Sequence, residues 1–353
     1  MSVMRATILT LPIALLLAGS AIAVAQPPAT ATPGKALNMM FVPKFLGTDK
    51  YGKLFDEAHQ GAVEAAKELQ NPGLLLYTAP IQAGRGPSQS EIVTAAAADG
   101  VKAIMMSNAS GDQVVPALKA ARAKGVRVVS WDSPIPSAQD EDVYIQQVDF
   151  SQAGQLMADM ALDSLGPAGG QVAILSTFPD APFQNAAIAQ FDAALKQPKY
   201  AKLEQVDLAY GNDDPAMTAK QALALVDKHP DLKLILIPTS TVIVPAAQAL
   251  QDKGLCDKVK VGGFGLPSEM GVYTRNGCAA QYAQWSFVDL GYLSYYTAYL
   301  LTTHAIKAEA GQQFMAGRMG QYTIVKDPGR PHGLRVLMGP WAVYDKENLP
   351  AIP

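Results

Sequence analysis

Trp131 and Asp132 are the residues of this sequence whose types and position most directly suggest chemistry. They end a mostly β-branched run at residues 126–130, and Pro134 prevents simple continuation of a central strand. Ligands of open α/β sheets bind outside the carboxyl ends of the strands. An indole beside a carboxylate there would offer an apolar face and a hydrogen-bond acceptor, which suits a polyhydroxylated ligand such as a sugar. From this segment alone, a core tryptophan followed by a turn-forming aspartate is an equally good interpretation.

Polar and aromatic residues recur after the other predicted strands. Any one of them would ordinarily be a helix cap, a turn residue or a core ring, and Lys44 would ordinarily be a solvated loop lysine. Their common position at strand ends that face one cleft is the stronger argument for a binding site. Besides Trp131 and Asp132, the set comprises Lys44, Phe45, Asn108, Phe178, Asp180, Phe183, Gln184, Pro238, Thr239, Ser240, Leu266, Pro267, Trp285 and Asp289.

The segments that must position these residues alternate between strands and helices. This alternation predicts parallel sheets with right-handed crossovers, and continuous apolar runs are typical of strands buried on both faces. A first unit has strands at residues 37–42, 74–77, 101–106 and 126–131, with helices at 52–70, 88–98 and 112–124. A second unit has strands at 143–148, 172–176, 203–208, 232–237 and 259–264, with helices at 150–165, 185–196, 215–229 and 242–253.

The last part of the chain is predicted to return to both units. It reads as a strand at 281–285, a long helix at 288–306, and strands at 322–325 and 334–338. The expected crossovers lie near residues 144–148, 282–284 and 320–324. Lobe I then comprises residues 36–135 and 285–318, and lobe II comprises residues 136–284 and 319–353. Several crossovers make a hinge with limited modes of motion, which suits closure of two lobes over a ligand.

Composition and motifs exclude several classes of function. The net charge is −3, so the chain has no excess of basic residues that would indicate binding to nucleic acid or to an anionic membrane. No dinucleotide fingerprint, P-loop or nucleophile elbow is present. The histidines are far apart and lack metal-ligand spacing; they are His59, His229, His304 and His332. We therefore predict neither an enzyme nor a cofactor or metal site.

The N-terminus reads as an export signal. Arg5 supplies a positive charge, residues 8–17 supply an apolar run, and Ala23-Val24-Ala25 supplies a cleavage pattern. Cleavage before Gln26 would remove a signal peptide at residues 1–25 and release a periplasmic protein. Residues 26–35 contain three prolines and are predicted to be a flexible leader without a fold of its own.

Cys256 and Cys278 are the two cysteines of the chain, and each lies just before a predicted strand. If those strands are parallel neighbours, their starts lie about 5 Å apart, which is within disulfide reach. An oxidising compartment favours a structural disulfide. Two buried thiols are the alternative.

Several motifs, taken together, resemble ABC-transporter solute-binding proteins of the ribose-binding type, and more narrowly the branch that binds rhamnose or a quorum-sensing autoinducer. The resemblance covers nearly all of the mature chain. It implies two Rossmann-like lobes, joined by three crossovers, that close on the ligand. The motifs lie at residues 42–47, 116–119, 130–133, 265–270, 285–292 and 316–320.

The resemblance also implies a ligand site, because matching positions carry Lys44, the pair Trp131 and Asp132, the pair Gln184 and Asn185, and Pro238. Two departures from the autoinducer binders favour the rhamnose type: Phe183 stands where they have Asp, and Thr239-Ser240 replaces their Asp-Ala pattern. The predicted ligand-binding set is Lys44, Phe45, Asn108, Trp131, Asp132, Phe183, Gln184, Asn185, Pro238, Ser240, Leu266, Trp285 and Asp289.

The predicted function is capture of a small neutral sugar, such as a deoxyhexose, by a monomer that delivers it to a membrane ABC permease. Asp132 and Asp289 would accept hydrogen bonds from sugar hydroxyls, while Lys44, Gln184 and Asn185 would donate. Phe45, Trp131, Phe183 and Trp285 would cover apolar ring faces. Presentation of a furanosyl autoinducer or a sugar to a membrane sensor is the main alternative, and a sugar-modifying enzyme is the third.

Overall fold

The computed structural model describes residues 27–47, 50–81 and 86–349. Within them the chain forms two mostly parallel sheets, each covered on both faces by apolar cores. The α/β class and the pair of parallel sheets expected from the sequence are confirmed. The predicted signal peptide lies outside the described residues. Among the helices of the described ranges, none combines the length and apolar character that crossing a membrane requires.

The strands and helices follow the predicted alternation. The strands are β1 (Met39–Val42), β2 (Leu75–Tyr77), β3 (Ala103–Met106), β4 (Arg127–Trp131), β5 (Val143–Gln146), β6 (Gly170–Ser176), β7 (Leu203–Tyr210), β8 (Leu232–Ile237), β9 (Lys260–Phe264), β10 (Ala279–Gln284), β11 (Gln313–Met315), β12 (Gln321–Thr323), β13 (Val325–Lys326), β14 (Leu334–Leu337) and β15 (Ala342–Tyr344). The helices are α1 (Lys50–Glu68), α2 (Gln89–Ala98), α3 (Val115–Ala123), α4 (Ala153–Leu165), α5 (Pro182–Ala194), α6 (Pro215–Lys228), α7 (Ser240–Asp252), α8 (Pro267–Arg275) and α9 (Phe287–Thr302).

The sheet of lobe I has the order β2-β1-β3-β4-β5-β14-β13, and that of lobe II has the order β7-β6-β8-β9-β10-β15. Of these described strands, β13 and β15 pair antiparallel at the sheet edges. Successive residues of a strand point to opposite faces, and both faces are buried. In β1, Met39 and Phe41 pack in the core under α1 and α9, whereas Met40 and Val42 pack on the side of α2 and α3.

Strand pairing corrects the predicted lobe boundaries. Both β5 and β14 hydrogen-bond within the first sheet, so residues 136–146 and 319–337 belong to lobe I. The crossovers lie at residues 147–149, 285–286 and 338–341. The first two fall at or next to their predicted places, but the third does not. Residues 320–324 instead include β12, which pairs with β11.

The leader is also different from the prediction, because residues 27–35 dock on lobe I. Ala29 forms a bridge with Phe314. The hydroxyl of Tyr299 donates to the Thr32 carbonyl at 2.8 Å and accepts from the Lys35 amide at 3.1 Å. A buried tyrosine hydroxyl needs such partners, and the leader supplies them.

Helices α1 and α9 cross with their backbones in contact, at a glycine on each helix. A Cβ added to Gly291 would lie 1.7 Å from the Ala58 carbonyl oxygen, and one added to Gly61 would lie 1.8 Å from that of Val288. Neither glycine has a positive φ. The close approach therefore requires glycine, and it positions α9, which continues directly from the second crossover.

Replacing Gly291 with alanine should lower the free energy of unfolding by about 3 kcal/mol, because overpacking here meets backbone that cannot move aside. Urea denaturation followed by circular dichroism measures the loss. Gly329→Ala is the matched control, since its Cβ would meet the Asp327 carboxylate at an ordinary 3.5 Å. Equal stability of the two variants would contradict this description of the crossing.

The disulfide between Cys256 and Cys278 is confirmed, with a Cα–Cα distance of 4.5 Å. It joins the loop before β9 to the residue just before β10. Strands β9 and β10 are parallel neighbours. The bridge closes a loop with a sequence separation of 22 residues, and it lies in the lobe II core on the side of α6, α7 and α8.

Removing both cysteines by serine substitution should reduce the free energy of unfolding by about 3 kcal/mol, which is the loop-closure value for such a bridge. Reductant should destabilise the parent by a similar amount and leave the double variant unchanged. Denaturation with and without dithiothreitol tests this. A parent that is insensitive to reductant would refute a stabilising role for the bridge.

Candidate functional site

The carboxylate of Asp132 and the ammonium of Lys44 form an ion pair at the carboxyl edge of the first sheet. The distance from Lys44 Nζ to Asp132 Oδ2 is 2.7 Å, and the side chains are 30% and 11% exposed. Ser107 donates to the same oxygen at 2.8 Å. Gln147 donates to Oδ1, also at 2.8 Å. Because a carboxylate oxygen can accept two hydrogen bonds, and Gln147 is the donor to Oδ1 among the described residues, this oxygen can accept a second bond from a ligand.

The backbone of Asp132 is held in an unusual conformation. Its φ of 60° lies in the left-handed region, which is uncommon for residues other than glycine. The hydroxyl of Tyr144 donates to the Asp132 carbonyl at 3.0 Å. Burial, together with the charge of Asp132, raises the pKa of Tyr144, so this hydroxyl stays a neutral donor at physiological pH. The conformation that aims the carboxylate is thus fixed by its neighbours.

Trp131 does not expose the ring face that the sequence interpretation assigned to a ligand. The indole is fully buried, stacked on Phe41 at 4.6 Å between centroids and in edge contact with Phe55 at 5.9 Å. Its neighbour at i−2, Val129, belongs to the same core. Residues i and i+2 of a strand share a face, but both faces of β4 are buried, so alternation alone does not predict the role of Trp131. Trp131 is a core residue that anchors the strand end before Asp132.

Asn108 and Asp289, two further predicted site residues, are engaged by protein partners. The Asn108 side chain donates to the carbonyls of Gly111 and Pro134 and accepts from the Ser110 amide, so it organises the loop beside Asp132. Asp289 pairs with Arg318 at 2.7 Å in the first turn of α9. Asn108 is therefore occupied by protein partners, whereas Asp289 uses Oδ1 in its ion pair and its side chain remains 35% exposed.

The predicted residues of lobe II lie at the carboxyl edge of the second sheet. Phe183, Gln184 and Asn185 are in the first turn of α5, which follows β6. Asn185 donates to the Pro179 carbonyl at 2.7 Å, whereas no partner of the half-buried Gln184 side chain is found among the described residues. Pro238 lies between β8 and α7, Ser240 is the first residue of α7, and Leu266 lies between β9 and α8.

Five aromatic rings meet where lobe II adjoins the crossovers. Phe150 contacts Phe183 at 5.5 Å, Trp285 at 5.8 Å and Trp341 at 6.0 Å between centroids. Trp341 stacks on Phe264 at 4.6 Å. We call Phe150, Phe183, Phe264, Trp285 and Trp341 the hinge aromatic cluster.

The hinge aromatic cluster continues into lobe I. Trp285 contacts Phe287, and Phe287 contacts Phe55, which meets Phe45 beside Lys44. The buried indole nitrogens of Trp285 and Trp341, like that of Trp131 in the lobe I core, have no hydrogen-bond partner among the described residues. A buried donor without a partner calls for an explanation.

Sequence reasoning missed Phe150 and Trp341 as candidates for the site. Phe150 follows the first crossover, and Trp341 lies in the third, at residues 338–341 and not at the predicted 320–324. The only feature of the sequence that could have identified these two residues is that each lies close to a crossover. Within the described ranges, no group of three or more His, Cys, Asp or Glu side chains could hold a metal ion.

Comparison with known proteins adds an independent observation. Residues 41–305 match the family model described as periplasmic binding protein domain. A D-ribose/D-allose-binding protein of Pseudomonas aeruginosa is 26% identical over 181 residues, which are 50% of this chain and 56% of that protein. The match therefore spans little more than half the length of that relative.

Solved structures of sugar transport proteins share the fold over most of the chain. A sugar ABC transporter from Actinomyces odontolyticus is 30% identical with a TM-score of 0.80, over 90% of this chain and 98% of that one. A solute-binding protein from Clostridium phytofermentas with bound L-rhamnose is 28% identical with a TM-score of 0.65, again over 90% and 98%. LsrB from Clostridium saccharobutylicum in complex with AI-2 is 24% identical with a TM-score of 0.64, over 89% and 98%, and at that identity it supports the fold alone.

Proposed function

The chain belongs to the periplasmic binding protein domain family, and from this premise we propose that it captures a small neutral sugar and delivers it to an ABC importer. A rhamnose-like deoxyhexose is the favoured ligand. The family is one of extracytoplasmic solute-binding proteins rather than enzymes. Export through the signal peptide at residues 1–25, a monomeric state and docking to a membrane permease are parts of the same proposal.

The observation that carries the proposal is the ion pair of Lys44 and Asp132. The two charges compensate each other at 2.7 Å, so the edge of the sheet presents hydrogen-bonding capacity without a net charge. A neutral polyol can donate to Asp132 Oδ1 and accept from the partly exposed Lys44 ammonium. An anionic or cationic ligand would have to disrupt this ion pair, which would leave a buried charge without its partner and cost free energy.

The hinge aromatic cluster supports a sugar with an apolar part. Trp285 and Phe183 are half-buried, so part of each ring remains available for contact with an apolar ligand face. A deoxyhexose, which carries a methyl group in place of a hydroxymethyl group, would present an apolar surface to these rings.

Isothermal titration calorimetry with a matched pair of sugars tests the proposal. L-rhamnose and L-mannose differ only in the hydroxyl on C6. We expect micromolar affinity for L-rhamnose, and about tenfold weaker binding of L-mannose because its extra hydroxyl must be desolvated against aromatic rings.

D-ribose, AI-2 and a charged amino acid complete the panel. Tight binding of AI-2 with none of L-rhamnose would support the signalling alternative in place of sugar uptake. Binding of the amino acid alone would refute a neutral-sugar site.

A further inference from the structure

Gln147 links the carboxylate of the proposed site to the hinge. It is the first residue after β5, so it lies in the first crossover, and it is 3% exposed. Its side-chain amide donates to Asp132 Oδ1 at 2.8 Å and to the Asp132 carbonyl at 3.2 Å. Its side-chain oxygen lies 3.3 Å from the Tyr144 hydroxyl, whose single proton also faces the Asp132 carbonyl at 3.0 Å. All of these partners belong to the network that fixes Asp132.

The backbone of the same residue contacts the third crossover. The amide of Gly339 donates to the Gln147 carbonyl at 3.3 Å, and the amide of Met338 donates to the Gln146 carbonyl at 2.8 Å. The first and third crossovers are therefore hydrogen-bonded to each other at Gln147, and the side chain of this same residue donates to Asp132. The Asp132 carboxylate is therefore linked to the first and third crossovers through a single residue, Gln147.

We propose that Gln147 is a positioning residue that couples occupancy of the Asp132 carboxylate to the movement of the first and third crossovers. The inference rests on the proposed function in taking Asp132 as the ligand-binding carboxylate. A ligand hydroxyl that donates to Oδ1 shares this oxygen with the Gln147 amide. Binding would then change the interaction that holds the crossovers, which biases the lobes toward one of their arrangements.

Amide hydrogen exchange in the ligand-free protein tests the coupling without a sugar. The reporters are the amides of Met338 and Gly339, normalised to the core strand β3. We expect Asp132→Ala to raise their exchange about fivefold to tenfold, the effect of losing one to two hydrogen bonds. In a Gln147→Met background, which keeps the shape and removes the donor, the same substitution should change exchange less than about twofold.

Gln146→Met is the matched control. Gln146 adjoins Gln147, and its side chain contacts the Val148 carbonyl and Arg335 but not Asp132. The effect of Asp132→Ala should survive in this background. An equal effect in the Gln146→Met and Gln147→Met backgrounds, or no effect in the parent, would overturn the proposal. If Gln147→Met does not fold, Gln147→Leu also removes the amide donor without adding a charge.

Titration with L-rhamnose separates this inference from the proposed function. Gln147→Met should weaken binding about tenfold in the parent and hardly at all in the Asp132→Ala background, since the effect runs through that carboxylate. Additive losses would refute the positioning role. If the parent binds no L-rhamnose, the rhamnose assignment fails, and the exchange experiment still decides whether Gln147 couples Asp132 to the crossovers.

Discussion

Asp132→Ala should weaken the binding of L-rhamnose by about a hundredfold or more. Hydrogen bonds to charged groups contribute about 1.5–3 kcal/mol each, and a factor of ten corresponds to about 1.4 kcal/mol. The substitution removes the acceptor and also leaves the Lys44 ammonium without its compensating charge. Titration calorimetry of parent and variant measures the loss, with circular dichroism to establish that both are folded.

Asp99→Ala is the control for a carboxylate of the same lobe. Asp99 follows α2 and precedes β3, so it lies at the opposite edge of the sheet. Its removal should leave affinity unchanged. If Asp132→Ala binds as tightly as Asp99→Ala, the site is misplaced.

Trp285→Ala should weaken binding by about thirtyfold, because a large ring at the centre of a binding site contributes about 2 kcal/mol. Trp285 is half-buried in the hinge aromatic cluster, so part of its ring remains accessible. It also contacts Phe287, which leads into lobe I. Titration calorimetry with L-rhamnose measures the effect on affinity.

The matched comparison is Trp131→Phe, which changes an indole that is fully buried in the lobe I core. This variant should lose about 2 kcal/mol of stability through the cavity it leaves, with a much smaller loss of affinity than Trp285→Ala. Denaturation and titration of both variants give the two quantities. The reverse pattern, with affinity lost in Trp131→Phe and retained in Trp285→Ala, would show that the roles of the two rings are exchanged.

The periodicity of the sequence was sufficient to predict most helices and strands, because buried parallel strands are continuous apolar runs and helices have their own spacing. Assignment of strands to sheets was not predictable in the same way. β5 pairs with β4 on one side and with β14 on the other, and such non-local pairing leaves no mark in either segment. The short strand β15, three residues long, follows Pro340 and offers too little pattern to detect.

The candidate site was predictable where the chemistry belongs to a single residue and less so where it depends on packing. The position of Asp132 at a strand end, and a lysine after the first strand, were visible in the sequence. Both faces of β4 are buried, so whether Trp131 faces a ligand or the core depends on the packing of Phe41 and Phe55 around it. Trp341 became visible only with the third crossover in place.

Native mass spectrometry of the protein purified from its host tests the central claim most directly. The account predicts that the parent carries a bound neutral molecule with the mass of a small sugar, and that Asp132→Ala, purified in the same way, has lost it. A parent that carries a charged metabolite, or an adduct retained in full by Asp132→Ala, would contradict a neutral-sugar site built on Asp132 and Lys44.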